Sequence, residues 1–199
     1  IVNGLVGSEM CIRDSITFRA IETLKKVKII AAEDTRHSKR LLNHYGIMTP
    51  LLSYYEHNRD FRIPKIIEII KSGGSVSLIS DAGTPAISDP AYKLVRSAIE
   101  NKIKIESVPG ASAVLASLIP SGLPTDRFVF EGFLPIKKGR KKRIESMKNE
   151  IATIILYESP KRLIRTLRQL CEVLGDRPAV VARELTKIHE EYILSLIHI

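Results

Sequence analysis

Apolar residues in the first half of the chain alternate between helical spacing and short continuous runs. Ala20, Ile21, Leu24 and Val27 share one helical face, and Ser15 stands where a cap is wanted. Ile29 to Ala32 is a compact apolar run, which reads as a buried strand. Thr35 to Tyr45 returns to helical spacing and stops at Gly46, a favoured residue just past a helix end. Leu51 to Tyr55 is the next strand candidate. Pro64 sits near the start of a helix with Ile66, Ile67, Ile69 and Ile70, closed by Gly73 and Gly74. Val76 to Ser80 reads as a strand. Asp89 and Pro90 then form a helix start, a capping carboxylate followed by proline, ahead of Leu94, Val95, Ala98 and Ile99. Ile103 to Val108 reads as a strand and Ala111 to Leu118 as a helix. Strands alternating with helices predict an α/β fold with a parallel sheet.

The breaker-rich stretch Pro120 to Pro124 is the expected domain boundary. It divides an N-terminal α/β domain, 1–122, from a C-terminal α/β domain, 123–199. Beyond it, Arg127 to Glu131 and Thr153 to Tyr157 read as strands. Lys161 to Leu174 reads as an amphipathic helix with Leu163, Leu167, Leu170 and Leu174 on its apolar face. Ser159 and Pro160 have the form of its cap and first residue. Gly175 ends it, and Ala179 to Ala182 is one more strand.

Composition narrows the class. The chain has 199 residues, 44% hydrophobic and 27% charged, as a globular protein has. No apolar run approaches the ~18 residues that a membrane-spanning helix needs, so no membrane role is expected. Two distant cysteines, Cys11 and Cys171, suit neither a disulfide framework nor a zinc site, and a reducing cytoplasm fits them best. The formal net charge of +9 favours an anionic partner, nucleic acid first.

Four strand-to-helix loops are candidates for chemistry, because open α/β sheets bind ligands outside the carboxyl ends of their strands. Asp81, Ala82, Gly83, Thr84 and Pro85 combine a carboxylate, a hydroxyl and a glycine that permits close backbone approach. Pro109, Gly110, Ala111 and Ser112 form a second small-residue turn. Glu33, Asp34, Thr35 and Arg36 offer two acids and a guanidinium, although for this segment alone helix capping by Asp34 or Thr35, with the charges in water, is the favoured reading. Tyr157, Glu158, Ser159 and Pro160 form the fourth loop. Lys137, Lys138, Arg140, Lys141, Lys142 and Arg143 place six cations in seven residues, with Gly139 among them. A solvated helix face explains most charge runs. This density suits a mobile segment that contacts nucleic-acid phosphates without reading sequence. The chain has no Walker loop, no G-x-G-x-x-G after a strand, no G-x-S-x-G elbow and no metal-ligand spacing of His with Cys.

Six segments together resemble one family in content and in order: Ala31 to Arg36, Ser80 to Pro85, Val108 to Ala113, Glu131 to Pro135, Tyr157 to Pro160 and Arg183 to Lys187. The chain is similar over about Asp14 to Ile193 to the tetrapyrrole-methylase-like S-adenosylmethionine (SAM) methyltransferases. Within them it looks like the branch that methylates the 2′-hydroxyl of a cytidine in bacterial small-subunit ribosomal RNA. The resemblance implies a two-domain α/β fold with SAM held between the domains, a homodimer, and no metal. It implies small-subunit ribosomal RNA, free or assembled, as the partner.

Carried onto this chain, the resemblance puts SAM against Asp81 to Pro85 and Pro109 to Ser112. Glu33, Asp34 and Glu158 are the candidate proton acceptors. Arg36 and the cations of 137–143 are the candidate RNA contacts. The family's first strand and turn are not matched by Ile1 to Arg13, and Leu194 to Ile199 reads as foreign. The expectation is therefore a fragment with non-native ends, a truncated second domain and weakened SAM binding. Two rivals stay open: a methylase of the same fold acting on a small tetrapyrrole, and a non-catalytic RNA-binding module. Six adjacent cations argue against the first, and SAM binding would exclude the second.

Overall fold

The computed structural model describes residues 2–3, 15–80, 85, 87 and 91–196. The chain divides into two compact units, Ile1–Ala113 and Val114–Ile199, whereas the sequence pointed to a division after residue 122. The breakers at 120–122 form a 3-10 turn, Ile119–Ser121, which continues the preceding helix.

The first unit holds a five-stranded parallel sheet in the order β3-β2-β4-β1-β5. Its strands are β1 (Val2–Asn3), β2 (Ile29–Ala32), β3 (Leu51–Ser53), β4 (Val76–Ile79) and β5 (Ser107–Val108). β1 pairs in parallel with both β4 and β5, so it occupies the position of an inner strand. Helices α1 (Phe18–Lys26), α2 (Thr35–His44), α3 (Arg59–Lys71) and α4 (Ala91–Glu100) connect them. Alternate strand residues separate the two faces. Ile30, Ala32 and Ile79 pack with Leu24, Leu41 and Leu42 of α1 and α2. Ala31, Val76 and Leu78 pack with Ile66 and Leu94 of α3 and α4. Helices on both faces explain why these strands read as continuous apolar runs.

Several local expectations change. Thr17, not Ser15, caps α1: its hydroxyl accepts from the Ala20 N–H at 3.2 Å. Pro64 lies inside α3, because the helix begins at Arg59, where the Asn58 carbonyl accepts from Phe61 and Arg62 N–H groups. β3 and β5 are shorter than their apolar runs. The Asp89–Pro90 helix start lies outside the described residues.

The second unit contains α5 (Ala113–Leu118, whose first residue belongs to the first unit), β6 (Phe128–Phe133), α6 (Arg140–Ser146), β7 (Thr153–Tyr157), α7 (Leu163–Leu174), β8 (Pro178–Arg183) and β9 (Glu191–Leu196). β6 and β7 pair in parallel. Ile154 and Leu156 face Leu134, Ile144, Met147 and Leu170, with α6 and α7 above them. Ile155 and Tyr157 face Val114 and Leu118 of α5. β8 and β9 form an antiparallel pair, and the Tyr192 hydroxyl donates to the Ala116 carbonyl at 3.0 Å. No helix among the described residues is long and apolar enough to cross a membrane.

Candidate functional site

All five strands of the first unit are parallel, so their carboxyl ends share one edge. Glu33 follows β2, Tyr54 follows β3, Ser80 follows β4 and Pro109 follows β5. A small pocket at this edge is lined by Glu33, Tyr54, Ile79, Ser80 and Pro85, with Leu78 and Ala91. Apolar walls with a carboxylate and hydroxyls suit a ligand that carries both apolar and polar parts. Asp81, Ala82, Gly83 and Thr84 lie outside the described residues, and Pro85 is buried at the pocket. Gly110, Ala111 and Ser112 are half-buried after β5, and the Thr17 hydroxyl donates to the Pro109 carbonyl at 3.3 Å.

The two adjacent acids after β2 have different surroundings. Asp34 caps α2: its Oδ1 accepts from the Arg36 N–H at 2.8 Å. The Arg36 guanidinium folds back on the same carboxylate, with Nη2 3.0 Å from Oδ2. The side-chain and backbone hydrogen bonds from Arg36 hold the Asp34 pKa down to about 2. A carboxylate so acidic is a poor proton acceptor. Glu33 is exposed and lines the pocket.

Glu158, in the second unit, is an interior hub, with its side chain only 6% exposed. Its Oε2 accepts from the Thr166 hydroxyl at 2.7 Å, and its Oε1 accepts from the Ser159 N–H at 2.8 Å. Arg162 Nη2 lies 2.7 Å from Oε1, and Arg140 Nη2 lies 3.5 Å from Oε2. Burial alone raises this carboxyl's pKa. The hydrogen bonds from Thr166 and Ser159, with the charges of Arg162 and Arg140, outweigh burial and hold it below the ordinary carboxylate range. Glu158 is thus held as a carboxylate with protein partners on both of its oxygens. Ser159 does not cap α7, which begins at Leu163; its carbonyl accepts from the Arg162 N–H at 3.0 Å in the preceding turn.

The basic segment is not a uniform set of free cations. Arg140 is buried: Nε donates to Gln169 Oε1 at 2.8 Å, Nη1 to the Pro135 carbonyl at 3.2 Å and Nη2 to the Thr166 hydroxyl at 2.6 Å. Arg143 Nε lies 2.6 Å from Glu131 Oε2. Glu131 is the extra residue of a β-bulge between Phe130 and Gly132, and Gly132 has φ 63°, a value that favours glycine. Lys137, Lys138, Lys141 and Lys142 are exposed, and Lys141 makes a surface contact with Glu145 at 3.8 Å. From Arg140 to Ser146 the segment is an α-helix.

Tyr54, Thr166 and Gln169 carry no functional motif in the sequence. Tyr54 follows β3 as Glu33 follows β2, and that shared position was the available signal. Arg162, Thr166 and Gln169 recur at helical spacing on one face of α7, but a Thr and a Gln beside a leucine stripe carry no mark of a buried network.

Comparison with known proteins gives the same family as the motifs. The family of tetrapyrrole (corrin/porphyrin) methylases matches residues 5–198, so residues 5–13 and 194–198, expected to be foreign, fall inside the match. The chain is 45% identical over 188 residues to ribosomal RNA small subunit methyltransferase I of Thermotoga maritima, covering 94% of this chain and 85% of the relative. It is 49% identical to the protein of that name from Halalkalibacterium halodurans, covering 95% of this chain and 66% of the relative. For the Synechocystis relative the identity is 51%, with 89% and 64% covered. The chain thus spans just under two thirds of the length of the last two. Among solved structures, diphthine synthase superposes with a TM-score of 0.72 at 18% identity, covering 98% of this chain and 80% of that one. Uroporphyrin-III-C-methyltransferase of Thermus thermophilus superposes with a TM-score of 0.67 at 16% identity, covering 98% and 83%. Those two likenesses concern the fold alone. With the family match running over nearly its whole length, this chain belongs to the tetrapyrrole (corrin/porphyrin) methylases.

Proposed function

We propose that the protein, at the length of its relatives, transfers a methyl group from SAM to the 2′-hydroxyl of a cytidine in small-subunit ribosomal RNA. The observation that carries this reading is 45–51% identity to relatives that are named for methylating that RNA. The pocket at the carboxyl edge of the first sheet fits SAM in character, with Tyr54, Ile79 and Ala91 as apolar surface and Glu33 and Ser80 as polar partners. Asp81 to Pro85 and Pro109 to Ser112 complete the proposed cofactor contacts. SAM supplies a methyl group already activated on a sulfonium, so the protein's main tasks are orientation and exclusion of water.

A ribose hydroxyl must also lose its proton. Of the three candidate acids, Glu33 lines the pocket proposed for SAM and is the proposed acceptor. The solvent-facing lysines 137, 138, 141 and 142, with Arg36, are the proposed phosphate contacts. A homodimer in the cytoplasm belongs to the same proposal.

The test gives the native-length protein methyl-labelled SAM together with unmodified small ribosomal subunits or a tetrapyrrole acceptor. Label is expected in the RNA alone. Label in the tetrapyrrole alone would establish the rival reading, and label in neither acceptor despite SAM binding would reject both.

A further inference from the structure

The arginines of the basic segment differ from its lysines in where they go. Arg140 has a side chain only 8% exposed, and its donors reach Gln169, Thr166 and the Pro135 carbonyl, with Glu158 at ion-pair distance. Arg143 reaches the bulged Glu131, itself only 10% exposed. These contacts tie the start of α6 to β6 on one side and to α7 on the other. The Pro135 bond also closes the short turn that carries Lys137 and Lys138.

We propose that Arg140 and Arg143 are positioning residues that clamp the basic segment to the interior of the second unit. The exposed lysines then meet an RNA backbone in an order already set. The inference rests on the proposed RNA reading and deepens it. A guanidinium is the suitable anchor because its planar fork satisfies several acceptors at once, whereas a lysine ammonium is a flexible point charge. Ordering the segment before binding removes that entropic cost from the association step.

Positioning and direct phosphate contact leave different traces. Removing a phosphate contact lowers the salt dependence of affinity; removing a clamp weakens binding at every salt concentration and leaves the slope unchanged. Thr166→Val and Gln169→Met each delete a partner of Arg140 without changing charge. Affinity of the native-length protein for a small-subunit RNA transcript is measured across a salt series. Both variants are expected to bind roughly fivefold more weakly with an unchanged slope, while Thr166→Ser, which keeps the hydroxyl, binds as the native protein does. Arg140→Gln is expected to follow Thr166→Val. Gln169, only partly buried, carries the test if Thr166→Val does not fold.

Neutralising Lys138, Lys141 and Lys142 together is the control for the RNA reading, and the slope is expected to fall by roughly 0.7–0.9 per lost contact. If that slope falls while folded Thr166→Val and Gln169→Met bind normally, the clamp is rejected and the RNA reading stands. A slope lost in Arg140→Gln alone would make Arg140 a phosphate contact instead. An unaltered slope in the lysine variant would reject the clamp and return the lysines to a solvated surface, while methyl label in the RNA decides the RNA reading separately.

Discussion

Glu158 shows how environment assigns a role that residue type leaves open. As a carboxylate after a strand it was a candidate base. Its hydrogen bonds to Thr166 and Ser159 and its two guanidinium neighbours make it a fixed negative charge. Its partners lie at 140, 162 and 166, and no local pattern reveals that they converge. Its pKa is depressed in the folded protein, so its stabilisation is complete above the ordinary value of 4.5 and is lost as pH falls through the lower folded value. Glu158→Gln is expected to destabilise the protein at neutral pH by roughly 3 kcal/mol, because it leaves two guanidinium groups without their counter-charge. Its melting temperature should also fall less than the native protein's between pH 5 and about pH 3. Thermal melts of both proteins across that range check the sign. Asp34, by contrast, was legible as a helix cap, because capping needs only the adjacent Arg36 N–H.

At the scale of elements, continuous apolar runs marked β2, β4 and β7 well, because each is covered on both faces. Lengths were less legible. Ile103 to Glu106 continue an apolar alternation, yet only Ser107 and Val108 pair with a neighbour, and pairing is a tertiary fact. β9 was missed although Tyr192 and Leu194 alternate with other residues, because its partner β8 determines it across a turn. Gly74 shows a packing requirement that a turn assignment leaves out. A Cβ built there meets the Ile69 carbonyl oxygen at 2.7 Å and Lys28 Cδ at 2.9 Å. The backbone oxygen cannot move away without disturbing the end of α3, where the Gly74 N–H donates to that same carbonyl at 3.0 Å. Gly74→Ala is therefore expected to cost about 1–3 kcal/mol, read as a lower denaturant midpoint. Gly132→Ala is expected to destabilise the protein by about 1 kcal/mol through its positive φ and to loosen the bulge that presents Glu131 to Arg143. Denaturant titration reads the first effect. The second predicts that Arg143→Gln has a smaller effect in the Gly132→Ala background than in the native one.

Across the whole molecule, sequence order and loop position revealed more of the candidate site than charge did. Glu33, Ser80 and Pro109 lie far apart in sequence, and parallel pairing brings the ends of their strands to one edge. That convergence follows from the α/β pattern alone. The charge run misled in part, since a sequence does not show that Arg140 and Arg143 have acidic partners in the interior. The proposed reacting atom is a ribose oxygen of a cytidine in ribosomal RNA. The most direct measurement digests small-subunit RNA, after treatment with the native-length protein and SAM, to nucleosides for mass spectrometry. One added methyl group on the ribose of cytidine is expected, absent when Glu33→Gln replaces the native protein; a methyl group on a base, or no methylated nucleoside, would rule the proposal out.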